Sequence, residues 1–329
     1  LSILIPTYNY NTLLLVKTLQ QQAIKSKISF EIVVLDDASS DRQSSTENKK
    51  INTLEHCTYI ESEKNLGRTA TRNILANKAK FNWLLFLDAD VIPLNHDYIE
   101  TYVKELNNKH DVISGGIVYE TQRPTQNQLL RWVYGKTRES KSAKARNKKP
   151  YNIISANLLI AKELFLRANN FETNHYGLDI YFSYKIRELK AKVLHIENPT
   201  IHLGLESTTI FIEKSLRAIQ TTYTLEKDNK IGKRTSKSCQ IWLRYMAGYN
   251  NRQLLVEFED NDNGEAVPTF KANKHLRINA PRDWQDLFRK YPPGRGVKKD
   301  RHYYNRRKKQ TYTITASKNK AIYDTDLGK

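Results

Sequence analysis

Through the first 200 positions the apolar residues fall in short unbroken runs, separated by stretches where they recur every three or four residues. The runs "LSILIP" (1–6), "FEIVVLDD" (30–37), "CTYIES" (57–62), "NWLLFLDAD" (82–90) and "DVISGGIVY" (111–119) predict strands. Most show no polar alternation, as expected of strands covered on both faces. Between them "NTLLLVKTLQQQA" (11–23), "GRTATRNILANKA" (67–79) and "NHDYIETYVKELNN" (95–108) carry helical spacing. A βαβα order predicts an α/β fold with a mostly parallel, Rossmann-like sheet flanked by helices. In such sheets ligands bind beyond the carboxyl ends of the strands, where strand order reverses.

Residues 120–151 include the Lys/Arg-rich "GKTRESKSAKARNKKPY" and read as a mobile loop. "YNIISANLLIAKELFLRANNFE" predicts a strand and a helix, and the next helix should open near Leu178 or Asp179, followed by the strand "AKVLHIE". The last helical pattern is "STTIFIEKSLRAIQTTYTLEK" (207–227), with Ser/Thr capping. After about Ile231 the texture changes. "RQLLVEFED" and "QTYTITASK" read as isolated strands, "PRDWQDLFRKYPPGRG" as a short helix, and "KKDRHYYNRRKKQ" as a basic run holding two tyrosines. The chain therefore divides into 1–230 and a basic C-terminal segment, 231–329, whose fold and role the pattern does not define.

Charge sharpens that division. Residues 1–230 hold 32 Lys and Arg against 25 Asp and Glu, whereas the last 99 hold 22 against 10. A basic balance fits anionic partners: nucleotide diphosphates, acidic lipid or nucleic acid. Cys57 and Cys239 lie far apart without metal spacing, so neither a disulfide framework nor a zinc site is indicated. No apolar run nears 18 residues and no signal-like segment opens the chain, which predicts a cytoplasmic protein, with peripheral contact at an anionic inner membrane face open to the basic segment.

Two strands end in acidic pairs, Asp36–Asp37 and Asp88–Asp90. Both pairs fall at the carboxyl edge, where the turn "IPTYN" also ends the first strand. In extended geometry the side chains at i and i+2 point to one side, so Asp88 and Asp90 can face one cation. Oxygen ligands without a His–Cys set suit Mg²⁺ or Mn²⁺ on a diphosphate. Either pair taken alone could instead cap a helix or close a turn.

"SILIPTYNYNTLL", "EIVVLDDASSD", "NLGRTATRN", "LLFLDADVIP" and "YGLDIYFSYKIRE", in this order, resemble family 2 glycosyltransferases of the GT-A fold over about residues 1–230. The resemblance implies that Pro6, Thr7, Tyr8 and Asp37, with Asp36 adjoining, hold the base and ribose of a nucleoside diphosphate sugar, a carboxylate suiting the imide N–H of uracil. It implies that Asp88 and Asp90 hold ribose and the divalent metal, a Lewis acid toward the leaving diphosphate. Arg68 and Arg72, four apart on a helix, would reach the diphosphate or order the Asp loop. Asp179 would be the base that takes the acceptor proton in a single inverting displacement. Leu178 stands where the family usually has a further acid. His202, in "NPTIHLG", would face the diphosphate or metal, and Asn157, in "SANLLI", the acceptor side.

The function so implied is inverting sugar transfer from a nucleoside diphosphate sugar, UDP first, to a hydroxyl on a saccharide or lipid-linked saccharide, in cell-surface polysaccharide or glycan synthesis. A sugar-phosphate nucleotidyltransferase is the enzymatic alternative, but it calls for a Gly-rich basic loop after the first strand, where this chain has "PTYNYN". From another class, "HYYNRRKKQ" interleaves cations with stackable rings as a nucleic-acid-binding module does, within 231–329 alone.

Overall fold

A computed structural model describes residues 1–106, 109–171, 175–232, 241–245, 252–260 and 266–271. Its elements, in chain order, begin with β1 (Ser2–Thr7), α1 (Leu13–Lys25), β2 (Glu31–Asp36), α2 (Arg42–Lys49), β3 (Cys57–Glu61), α3 (Arg68–Lys78), β4 (Trp83–Leu87), β5 (Val91–Pro93) and α4 (Tyr98–Glu105). There follow β6 (Val112–Ser114), β7 (Ile117–Tyr119), α5 (Leu129–Tyr134), α6 (Ala143–Asn147), β8 (Asn157–Ala161), α7 (Lys162–Ala168), α8 (Asp179–Glu188), β9 (Val193–His195), β10 (Thr200–His202) and α9 (Thr208–Lys227). Three further strands are β11 (Ile241–Tyr245), β12 (Arg252–Asp260) and β13 (Ala266–Lys271).

Seven strands form one sheet in the order β3-β2-β1-β4-β8-β6-β9. Its pairs are parallel except those of β8, which runs against β4 and β6. The chain leaves β1 toward β2 and β3 and returns on its other side with β4, so strand order reverses between β1 and β4. This is the mostly parallel sheet flanked by helices that the sequence pattern predicts.

The unbroken apolar runs explain the double covering, since alternate residues face opposite sides. Ile3, Ile5, Ile32, Val34, Leu85 and Leu87 meet α1 and α4 through Val16, Leu19, Tyr98 and Tyr102. Leu4, Val33, Leu84, Phe86, Leu158 and Ile160 meet α3, α7 and α8 through Leu75, Phe165, Phe182 and Ile186. Each such fully buried side chain contributes about 1.5–3 kcal/mol of transfer free energy.

The run 111–119 is not one strand. Gly115 and Gly116 break it into β6 and β7, Gly116 with φ +86°, and the two halves join different sheets. β7 pairs with β10, which pairs with β5, in a second sheet of three short strands. The stretch 120–151 departs from the loop reading as well: Leu129 and Leu130 of α5 and Ala143 and Arg146 of α6 are buried. Low apolar content hid the anchors, because one of them is an arginine.

The chain divides into two compact units. One comprises Leu1–Thr121, Gly135–Asn174 and Asp179–Gly204; the other comprises Gln122–Tyr134, His175–Leu178 and Leu205–Lys329. In the second unit, α9 opens where Ser207 accepts from the Ile210 N–H and runs against β12 and β13. β12 covers the stretch read as a strand, "RQLLVEFED". The stretches "PRDWQDLFRKYPPGRG", "KKDRHYYNRRKKQ" and "QTYTITASK" lie outside the described residues. Among the described residues no helix is long and apolar enough to cross a membrane.

Candidate active site

The carboxyl ends of β1, β2 and β4 bring the expected acids to one edge. β4 ends at Leu87, and Asp88 follows, its N–H donating to the Ala156 carbonyl (3.2 Å). The Asp88 carboxylate is held by two arginines from the opening of α3. Arg68 Nη2 donates to Oδ1 and Oδ2 (2.9 and 2.8 Å), and Arg72 Nη2 to Oδ1 (2.7 Å). Burial would raise this acid, but Arg68 and Arg72 outweigh it and hold it below its ordinary value. Arg72 is itself buried and also donates to the Ser155 carbonyl (3.0 Å). Burial first, then the like charge of Arg68, brings its pKa down to about 10.

Arg68 spans two acids. Its Nη1 lies 3.5 Å from Asp179 Oδ2, at the first position of α8. Asp179 also accepts a short hydrogen bond from the Ser155 hydroxyl. Burial raises the Asp179 carboxyl, while Arg68, Arg72 and Ser155 together lower it further, so it stays ionised below the usual carboxylate range. Its side chain is 46% exposed, so it is open to a substrate. Asp179 also sits in the first turn of α8, where negative charge is favoured.

Asp90 is paired differently, with His202. The register that sets His202 opposite Val91 brings His202 Nε2 to 3.5 Å from Asp90 Oδ2. The Leu203 N–H donates to the Asp90 carbonyl (2.8 Å). A Cβ on Gly204 would stand 1.9 Å from Asp90 Oδ2, so only glycine leaves the carboxylate room. Burial pushes Asp90 up, His202 pulls it down and Asp88 pushes it up again, with a raised value as the outcome. Tyr119 packs against His202 with its ring tilted by 42° and 5.3 Å between ring centroids, and donates its hydroxyl to Glu139.

The nucleotide-side residues are placed as follows. Tyr8 is exposed and Pro6 half-buried at the end of β1. Thr7 is buried and donates to the Tyr10 carbonyl (3.1 Å). Asp36 accepts from Tyr59 Oη (2.6 Å) and the Ser39 N–H (2.8 Å). Asp37 accepts from the N–H groups of Leu66 (2.7 Å) and Gly67 (2.8 Å), which sets the start of α3 and thereby Arg68 and Arg72. Asn9, at φ 52°, accepts from the N–H groups of Ser40 and Asp41 and ties the two edge loops together.

Asn157, expected on the acceptor side, lies in the interior at 1% exposure. Its Oδ1 accepts from Tyr98 and Tyr102 (2.6 Å each) and its Nδ2 donates to Gly116 O (2.8 Å) and Asn198 O (2.9 Å). All four of its hydrogen-bonding positions are used within the protein, so it fixes the start of β8. Ser155, Gly204 and Tyr10 carried no sequence signal. Burial and then the charge of Asp90 shift the Tyr10 hydroxyl upward.

As for a metal, no cluster of three or more His, Cys, Asp and Glu side chains suited to a metal ion is present among the described residues. Asp90 and His202 supply one oxygen and one nitrogen donor that converge, a fit for two positions of a divalent cation whose other ligands come from a diphosphate and water.

Paired acids and arginines at the carboxyl edge of a mostly parallel sheet, beside its switch point, define an α/β ligand-binding enzyme architecture. The sequence pattern described as "Glycosyl transferase family 2" matches residues 2–166, half of the chain, and the protein belongs to that family. An "Uncharacterized glycosyltransferase" of Haemophilus influenzae is 29% identical over 134 residues, 37% of this chain and 43% of that protein. "Glycosyltransferase GlyA" of Streptococcus pneumoniae serotype 4 is 27% identical over 206 residues, 60% of this chain and 29% of that protein. The match thus spans less than half of either relative. Among solved structures, mannosyltransferase PcManGT from Pyrobaculum calidifontis with GDP-Man and Mn²⁺ is 18% identical, with a TM-score of 0.47 over 70% of this chain and 64% of that one. S. aureus TarS 1–349 with UDP-GlcNAc is 20% identical, with a TM-score of 0.43 over 63% and 56%.

Proposed function

We propose that the protein transfers a sugar, with inversion, from a nucleoside diphosphate sugar to a hydroxyl acceptor in glycan synthesis. The observation that carries this reading is Asp179: an ionised, half-exposed carboxylate bridged by Arg68 to the Asp88 cluster at the sheet edge. A base for the acceptor proton has to be deprotonated, near the leaving group and reachable by substrate. Asp179 combines these features.

On this reading the base and ribose of the donor lie along Pro6, Thr7, Tyr8, Asp36 and Asp37. Each Asp37 oxygen keeps a second lone pair beyond its backbone N–H partner, which suits the imide N–H of a uracil and favours a UDP-sugar. Asp90 and His202 would hold Mg²⁺ or Mn²⁺. When bound, the cation neutralises charge on the leaving diphosphate. Arg68 and Arg72 face the same charge, and Arg68 exchanges its contact with Asp88 for the diphosphate, which frees Asp88 toward ribose or metal. Asp179, held by Ser155, orients the acceptor hydroxyl and takes its proton. Family membership favours this reading over nucleotidyl transfer.

The test is Asp179→Asn, which keeps the Ser155 contact and removes the base. Transfer should fall by about 10²–10⁴-fold while donor affinity measured by calorimetry stays within about twofold of wild type, allowing for calorimetric scatter well inside a tenfold step of 1.4 kcal/mol. Turnover near wild type would overturn the assignment.

A further inference from the structure

Residues 136–149 hold seven Lys or Arg and one acid, Glu139, a net of +6. Residues 1–230 together carry a net of +7 (32 against 25), so outside this segment they are close to neutral. The segment is fastened from beneath by a buried cation. Arg146 donates to the carbonyls of Ser114 (2.9 Å), Gly115 (3.0 Å), Ile196 (2.6 Å) and Lys141 (3.0 Å), and its Nη1 lies 3.1 Å from His195 Nδ1. The Asn147 amide pairs with both the C=O and the N–H of His195 (2.8 and 2.9 Å), covering edge strand β9. The Ala143 N–H donates to Glu197.

With Ala143 and Arg146 turned inward, Lys144 and Lys148, four apart, share the opposite face of the same turn. Arg138, Lys141 and Lys149 flank them, and all five are exposed. Among the described residues these five side chains meet no carboxylate. Neighbouring like charges repel and no carboxylate offsets them, yet the buried Arg146 holds the segment in place. Its use lies in an anion from outside.

The place of the face on the sheet indicates which anion. Arg146 and Asn147 grip the carboxyl ends of β6 and β9, the edge at which β4 delivers Asp88. Three strand spacings of about 4.8 Å separate β4 from β9, so the basic face lies roughly 15 Å along that edge from the candidate site. A membrane-seated face carries apolar anchors, and none of the exposed large apolar side chains falls within 136–149. Single-stranded nucleic acid is held by rings that stack on its bases, and the five cations are interspersed instead with Ser, Thr, Ala and Asn.

We propose that Arg138, Lys141, Lys144, Lys148 and Lys149 dock a linear polyanion, with phosphate or carboxylate charges, and that this chain is the acceptor. The proposal rests on the transferase reading. The lysines bind as point charges, suited to a repeating anion whose register slides as its end enters the site.

The test compares the full chain with the variant Lys141→Gln/Lys144→Gln/Lys148→Gln/Lys149→Gln, which leaves Arg146 and the acids untouched. Probes are poly(glycerol phosphate), a polyuronate of matched length, neutral dextran, phosphatidylglycerol vesicles and single-stranded DNA, with binding followed by anisotropy or co-sedimentation across a salt series. The wild type should bind one polyanion and not dextran. The variant should bind it at least tenfold more weakly and with a shallower salt dependence. Nucleotide-sugar affinity should be unchanged, and in transfer assays KM for the polymer should rise with kcat unaltered. Equal polymer binding by the two proteins overturns the proposal, as does a wild type that prefers vesicles or DNA. If neither protein binds a nucleotide sugar while the variant still loses the polymer, the transferase reading and the acceptor assignment fail and the polyanion face stands.

Discussion

At the scale of single residues, the site is built by acids whose neighbours pull their titration apart. Asp88 and Asp179 are held ionised by Arg68 and Arg72, whereas at Asp90 burial and the charge of Asp88 outweigh the pull of His202 and Arg68, and it is raised. The strand-end acids were legible because unbroken apolar runs locate the carboxyl edge and anything polar there needs a reason. Ser155 and Gly204 were not, because their roles come from contacts across the fold. Gly204 exemplifies this: its missing Cβ is what admits the Asp90 carboxylate. Gly204→Ala should displace Asp90 and weaken Mn²⁺ binding by at least about tenfold, or 1.4 kcal/mol. Mn²⁺ titration followed by electron paramagnetic resonance would check this, with circular dichroism unchanged. Undiminished Mn²⁺ affinity would remove Asp90 from the metal site.

At the scale of elements, strand and helix identities followed from periodicity wherever a run was long, as in β1, β2, β4 and α9. The stretch 120–151 misled because its apolar anchors are few and one of the buried side chains that fasten it is an arginine. Arg146 and His195 form a buried polar pair that no hydrophobic pattern can announce. The pair fixes a tautomer: His195 Nδ1 accepts from Arg146, so Nε2 carries the proton and donates to Pro150 O (2.8 Å). Burial first, then the Arg146 charge, lowers the His195 pKa below 6.5. The unfolded chain therefore binds the extra proton more readily, and stability is full above about pH 6.5 and declines as pH falls below it, by at most about 1.4 kcal/mol per pH unit. Urea unfolding at pH 7 and pH 5 should show this loss, and His195→Gln, which keeps an acceptor and a donor, should flatten it. An equal loss in the variant would place the titration elsewhere.

At the scale of the whole molecule, the change of texture near Ile231 marked a real shift in charge, but charge composition is blind to what a segment packs against. The helix α9 (Thr208–Lys227) and the strands β12 and β13 belong to the same compact unit, with α9 running against both strands. A division at 230, natural on charge, would cut between a helix and its sheet. Phe211, Ile212, Leu216 and Leu225 of α9 are buried, so a chain ending at Lys230 should lose part of their cover. If the family-2 site works independently of residues 231–329, that shortened chain keeps donor binding, because Asp88, Asp90, Asp179 and His202 all lie in the other unit. The expected outcome is a melting temperature several degrees lower, the shift a loss of about 1–2 kcal/mol gives in a chain of this size, with nucleotide-sugar affinity retained. Differential scanning calorimetry and calorimetric titration on the two lengths separate the cases. An unchanged melting temperature would show that the sheet adds nothing to α9, and lost donor affinity would show that the C-terminal segment belongs to the transferase itself.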